Sequence, residues 1–96
     1  MRFSWDGQKD AANFAKHGVG FQEASRVFMD PLSNVEPDLG TQGRWRAFGE
    51  VEGQVLVVVH EDDEYMDHGQ VVTEIRIISA RFATPAEVRA YRDDSR

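Results

Sequence analysis

Arg76, Ser79 and Arg81 lie in the run RIISARFATPAE, where strand-like sequence gives way to helix-like sequence. Two guanidiniums and a hydroxyl at such a junction can grip a phosphate. The planar fork of an arginine donates two hydrogen bonds to one anion and stays protonated. A third arginine, Arg44, precedes Trp45 in RWRAFG. Arg81 and Arg44 are the first choices as phosphate binders and Arg76 the next. His17 is the one histidine outside the acidic region 50–75, and an imidazole can give or take a proton near neutrality. Lys16 beside it can add positive charge.

Each of these residues also has a plainer use. The arginines can pair with Glu74 or Glu87. Ser79 can satisfy a strand end. His17 can stabilise a helix C-terminus through the dipole. Tyr91 shares a helix face with Val88, which suits packing. Trp5 and Trp45 can stack on a base or fill a core. Spacing bears on the arginines. Arg76 and Arg81 are five apart, so strand alternation sends them to opposite faces unless a bulge or the strand end re-aims one. Ser79 and Arg81 share a face.

The elements that must position these side chains can be read from local signals. RFSW suits a short first strand. Asp6 is a good N-cap for GQKDAANFAKH, and Gly18 suits the left-handed residue that ends it. Phe21, Ala24, Val27 and Phe28 form an apolar stripe, which predicts a second helix over 21–28, stopped by Asp30-Pro31. Residues 31–43, with two prolines and two glycines, read as a loop. RWRAFGEVE alternates like a strand, Gly53-Gln54 reads as a turn, and VLVVVH reads as a central strand covered on both faces. Residues 61–70 read as a long acidic connection before the last strand, VVTEIRIISAR. Thr84, Pro85 and Glu87 then start a helix through a cap, a first-position proline and a capping box. The resulting order, β-α-α-β-β-β-α, predicts an α+β fold: an antiparallel sheet with helices packed mainly on one face.

Ninety-six residues suit a single domain over 1–96, and 41 % hydrophobic content can build one modest core. The absence of cysteine excludes a disulfide framework and a thiolate metal site. No segment has the length of apolar sequence that a membrane span needs, and the start lacks the apolar run of a signal peptide, so a cytoplasmic location is expected. The net charge of −6 conceals a division. Residues 50–75 hold eight acids and no Lys or Arg; the other nine acids face all 11 bases, leaving +2 on the rest of the chain. An anionic partner is therefore compatible with the chain outside the acidic segment.

Two motifs carry a family resemblance: WDGQKDAANFAKHGVG near the start, and RIISARFAT followed by Glu87 and Tyr91 near the end. With RWRAFG between them, the chain from Trp5 to Tyr91 resembles the BrnT family of bacterial toxins. That resemblance implies a RelE-like fold and a ribonuclease that needs no metal or other cofactor. It also implies a BrnA-like antitoxin with a ribbon-helix-helix segment, a 2:2 complex, and operator DNA contacted only through the antitoxin. The matching positions are Trp5, Asp6, Lys9, Asn13, Lys16 and His17; Arg44-Trp45; Arg76, Ser79 and Arg81; and Glu87 and Tyr91. On this reading Arg44, Arg81, Arg76 and His17 are the catalytic candidates, and Lys16, Trp45, Ser79 and Tyr91 the RNA-binding ones. The chain departs from the family in its longer acidic connection, EDDEYMDHGQVVTE, and in Phe82, where relatives often carry lysine. Both departures remove positive potential. They leave room for a rival reading, a non-catalytic module that binds antitoxin as a co-repressor. A third reading is a metal-responsive protein using His60 and His68, although their spacing matches neither a calcium loop nor a zinc motif.

Overall fold

The Asp6 carboxylate accepts hydrogen bonds from the amides of Gln8 and Lys9, at 2.8 and 3.2 Å, and so starts the first helix. Those amides hold its pKa below the ordinary carboxylate value. Gly18, at φ 75°, ends the helix in the left-handed conformation. The computed structural model describes residues 1–94. Its elements are β1 (Arg2–Ser4), α1 (Gly7–His17), α2 (Phe21–Ser25), a 3₁₀ turn (Arg26–Met29), β2 (Asn34–Pro37), β3 (Trp45–Val51), β4 (Gln54–Asp67), β5 (Gln70–Phe82) and α3 (Pro85–Asp94). The fold is α+β, as its sequence implies.

The strands form one five-stranded sheet in the order β1-β5-β4-β3-β2. The expectation of an antiparallel sheet holds from β2 to β5, but β1 pairs with β5 in parallel. The sheet is therefore mixed. Long-range closure explains the correction: the first strand meets the last, and a parallel partner needs only a long connection between the two. The expected element order also gains a strand. β2 falls inside the stretch read as a loop, where Pro37 is tolerated because β2 is an edge strand.

The helices lie mainly on one face, with α1, α2 and the 3₁₀ turn together, while α3 alone packs on the other. On the first face Val19, Phe21, Ala24 and Val27 pack against Leu56, Val58, Ile77 and Ala80. On the second, Tyr91 and Val88 of α3 pack against Phe48, Val55 and Val57. Alternation along Val55–Val58 feeds both cores, which explains why this run is continuously apolar. Gly49 permits the closest approach. A Cβ there would lie 2.7 Å from Val27 Cγ1 and 2.9 Å from its carbonyl oxygen.

Asn13 ties α1 to the sheet. Its amide donates to the carbonyls of Val19 and Ala80, and its oxygen accepts from the Ala80 amide. β1 pairs with β5 only at residues 74–76, so the edge of β5 beyond that point needs another partner. Asn13 supplies one from a helix, satisfying buried peptide groups that would otherwise cost stability.

Residues 61–70 are not an irregular connection. They complete a long β4–β5 hairpin that closes through His68 and Gly69, at φ 50° and 79°. Positive φ at both central residues is the twist-matched geometry of a two-residue hairpin turn. The same geometry recurs at Glu52-Gly53, one residue earlier than the turn expected from sequence. Among the described residues no helix is long and apolar enough to cross a membrane.

Candidate RNA-binding face

The decisive local feature is a register shift. Val59 pairs with Ser79 and His60 with Ile77, so Ile78 is an extra residue on β5. Such a bulge resets alternation. Ala80 and Ile77 both join the core under α1 and α2. Arg76, Ser79 and Arg81 consequently project from the other face, the one that carries α3. Without the bulge Arg76 would point away from Arg81.

β3 adds to this face. Arg46 pairs with Val59 and Phe48 with Val57, so both share the α3 side; Arg44, just before β3, joins them through Glu61. Arg44 Nε donates to Glu61 at 3.0 Å. Glu61 stands opposite Arg76 across the hairpin. A stripe of four arginines, 44, 46, 76 and 81, therefore crosses the sheet around Val59 and Ser79. Neither Arg46 nor Glu61 was singled out by sequence. Arg46 had a signal, since it lies two residues from Arg44 on a strand. Glu61 became visible only through the hairpin register.

Most of these guanidiniums already have anions. Arg81 forms a two-pronged pair with Glu87, at 2.7 and 3.0 Å. Arg46 donates to Glu36 at 2.6 Å and lies 4.0 Å from Asp38. Arg81 holds the Glu87 carboxyl down at about 2; burial opposes the shift, and the Thr84 amide assists it. The same partner raises the Arg81 pKa. Arg76 is exposed and, among the described residues, has no ion pair; its charge still helps to lower the Asp6 pKa.

Other candidates fall elsewhere. His17 and Lys16 end α1, on the opposite face of the sheet from the arginines. Trp45, 39 % exposed, pairs with His60 and alternates onto that opposite face as well. Tyr91 is on the arginine side but only 4 % exposed. Its hydroxyl donates to the Asp30 carboxylate, which also accepts from the amides of Leu32 and Glu50. Burial and then that carboxylate push the phenol up to about 12. Burial disfavours the charge on Asp30, yet the Tyr91 hydroxyl and the two amides outweigh it and keep its pKa low. Tyr91 thus anchors α3 rather than presenting a hydroxyl to solvent.

His60 and His68 do not converge. His60 is buried against the Phe28 ring with Nδ1 2.6 Å from Asp62, whereas His68 is exposed at the hairpin tip. The metal-responsive reading has no site at this pair. Among the described residues no group of three or more metal-ligating His, Asp or Glu side chains is assembled.

Residues 5–87 match a family described as the ribonuclease toxin BrnT of type II toxin-antitoxin systems. The chain belongs to the BrnT toxin family. No curated protein matches it. For a BrnT-family chain, the match encloses Arg44, Arg46, Arg76 and Arg81, together with the bulge that aligns the last two. It also encloses Asn13, whose place in the opening motif is accounted for by its structural hydrogen bonds.

Proposed function

We propose that this chain is the toxin of a type II pair, a metal-independent endoribonuclease of RelE-like architecture acting in the cytoplasm. The observation that carries the proposal is the Ile78 bulge, which puts Arg76, Ser79 and Arg81 on one face with Arg44 and Arg46. A row of guanidiniums across the α3 side of the sheet can follow a ribose-phosphate chain. The ion pairs are partly exposed, and pairs of this kind are worth ~0–1 kcal/mol each, so a phosphate can displace a carboxylate at little cost.

The chemistry follows from the same face. Glu61, between Arg44 and Arg76, accepts the proton of a 2′-hydroxyl. The 2′-oxygen attacks the adjacent phosphorus, the bond to the 5′-oxygen breaks, and that oxygen takes a proton from solvent. Arg76 and Arg81 stabilise the charge on the phosphoryl oxygens, where losing one such donor costs about 10²–10³ in rate. A BrnA-like ribbon-helix-helix antitoxin covers this face in a 2:2 complex and carries the pair to operator DNA.

A second reading has its own support. Three of the four arginines are already ion-paired, Arg44 by the acidic hairpin itself. A face neutralised in this way suits an antitoxin-bound co-repressor without catalysis. Expression of the chain alone separates the two. The ribonuclease halts growth and cuts purified RNA equally in buffer and in EDTA. Unimpaired growth with retained antitoxin binding favours the co-repressor, and cleavage abolished by EDTA refutes metal independence.

A further inference from the structure

Between β2, β3 and α3 lies a cleft of about 170 Å³. It opens beside the arginine stripe and shares Arg46 with it. Phe48 forms its floor, and Ala90 and Tyr91 of α3 form one wall. Asn34 and Glu36 pair with Phe48 and Arg46, so their side chains project to the same side. The cleft is large enough for one planar heterocycle and combines apolar surface from Phe48, Ala90 and Tyr91 with the polar side chains of Asn34, Glu36, Arg46 and Glu87.

Its polar groups have unused capacity. The Asn34 amide makes no side-chain hydrogen bond among the described residues, leaving a donor and an acceptor at the rim. Glu36 uses one carboxylate oxygen on Arg46. The Arg46 guanidinium lies 6.0 Å from the Phe48 ring centroid, and among the described residues its buried Nε, 4.0 Å from Asp38, has no hydrogen-bond partner. We propose that this cleft is a nucleobase slot selective for guanine, with Glu36 and Asn34 reading the base.

Hydrogen-bond complementarity selects the base. Guanine presents two adjacent N–H donors and one carbonyl acceptor on its pairing edge. A carboxylate accepts both donors, and an asparagine amide donates to the carbonyl. Adenine in the same pose turns a ring-nitrogen lone pair and a C–H toward that carboxylate, so it offers neither donor and sets two lone pairs against each other. Uracil and cytosine are smaller and bury less area on the floor. The inference rests on the ribonuclease reading for its context: a base in the slot places its own phosphate near Arg46 and Arg81.

Titration of the isotope-labelled full chain with guanosine and adenosine 3′-monophosphates tests the slot directly. Guanosine 3′-monophosphate is expected to shift the amides of Asn34, Phe48 and Ala90, with adenosine 3′-monophosphate about tenfold weaker. Asn34→Ala, which breaks no side-chain hydrogen bond among the described residues, should weaken guanosine binding about fivefold. Glu36→Gln should reduce the preference to within about twofold. Equal binding of the two nucleotides, or shifts confined to other residues, overturns the proposal.

Cleavage mapping on an RNA containing all four bases distinguishes RNA from free nucleotide as the source of the guanine. Cuts clustered beside guanosines, dispersed by Glu36→Gln, support a substrate subsite. Cuts without base bias overturn it as a subsite. Selective guanosine binding with no cleavage of any RNA supports the slot and overturns the ribonuclease reading.

Discussion

Replacing Glu87 by Gln tests whether Arg81 is held in reserve. A carboxyl near 2, rather than at its ordinary 4.5, corresponds at face value to about 3 kcal/mol of folding stability at neutral pH. Solvent screens part of that, because the Arg81 side chain is 38 % exposed. Discounting for screening leaves about 1–2 kcal/mol, including the capping bond to the Thr84 amide. The sign follows from the lowered folded-state pKa. The stabilisation is fully present above about 4.5 and is lost as pH falls toward about 2. Urea denaturation should therefore show Glu87→Gln less stable by about 1–2 kcal/mol at pH 7, with the gap closing by pH 2–3. RNA affinity, read by fluorescence anisotropy, should move the other way, because Arg81 no longer has to release an anion. The salt dependence should steepen by up to about one counterion. A stability gap that does not change with pH would refute the assignment of this carboxyl to Arg81. Weaker RNA binding in the variant would refute the idea that Glu87 competes with phosphate.

The remaining predictions separate structural residues from binding residues. Arg76→Ala removes no ion pair among the described residues, so stability should change by no more than about 0.5 kcal/mol, while the salt slope of RNA binding falls by about 0.7; paired denaturation and binding curves check both. Asn13→Ala strands the amide and carbonyl of Ala80 and the carbonyl of Val19, and should cost about 2–4 kcal/mol in urea denaturation. Gly49→Ala drives a methyl into the Val27 backbone, with an expected loss of about 1–3 kcal/mol and a lower thermal midpoint.

Local chemistry made the helices legible. Asp6 and Gly18 bracket α1 because a carboxylate satisfies free amides and glycine tolerates positive φ. Thr84 and Glu87 form the reciprocal capping bonds that their spacing implies. β2 was hidden because its four residues end in proline, and only a position at the sheet edge makes that acceptable. The strand character of residues 61–67 was masked by five acids. Their side chains are tolerated because this part of the hairpin extends past the helix-covered body of the sheet into solvent.

The sequence by itself determined which cations the chain owns, which family motif they belong to, and where the helices start. Tertiary structure alone decided which of those cations share a face. One unpaired residue, Ile78, puts Arg76 on the same face as Arg81. The crossing of α1 to the opposite face removes His17 and Lys16 from them, and the hairpin register sets Glu61 beside Arg44. Side-chain direction on a strand depends on cumulative register with its neighbours, and those neighbours are distant in sequence.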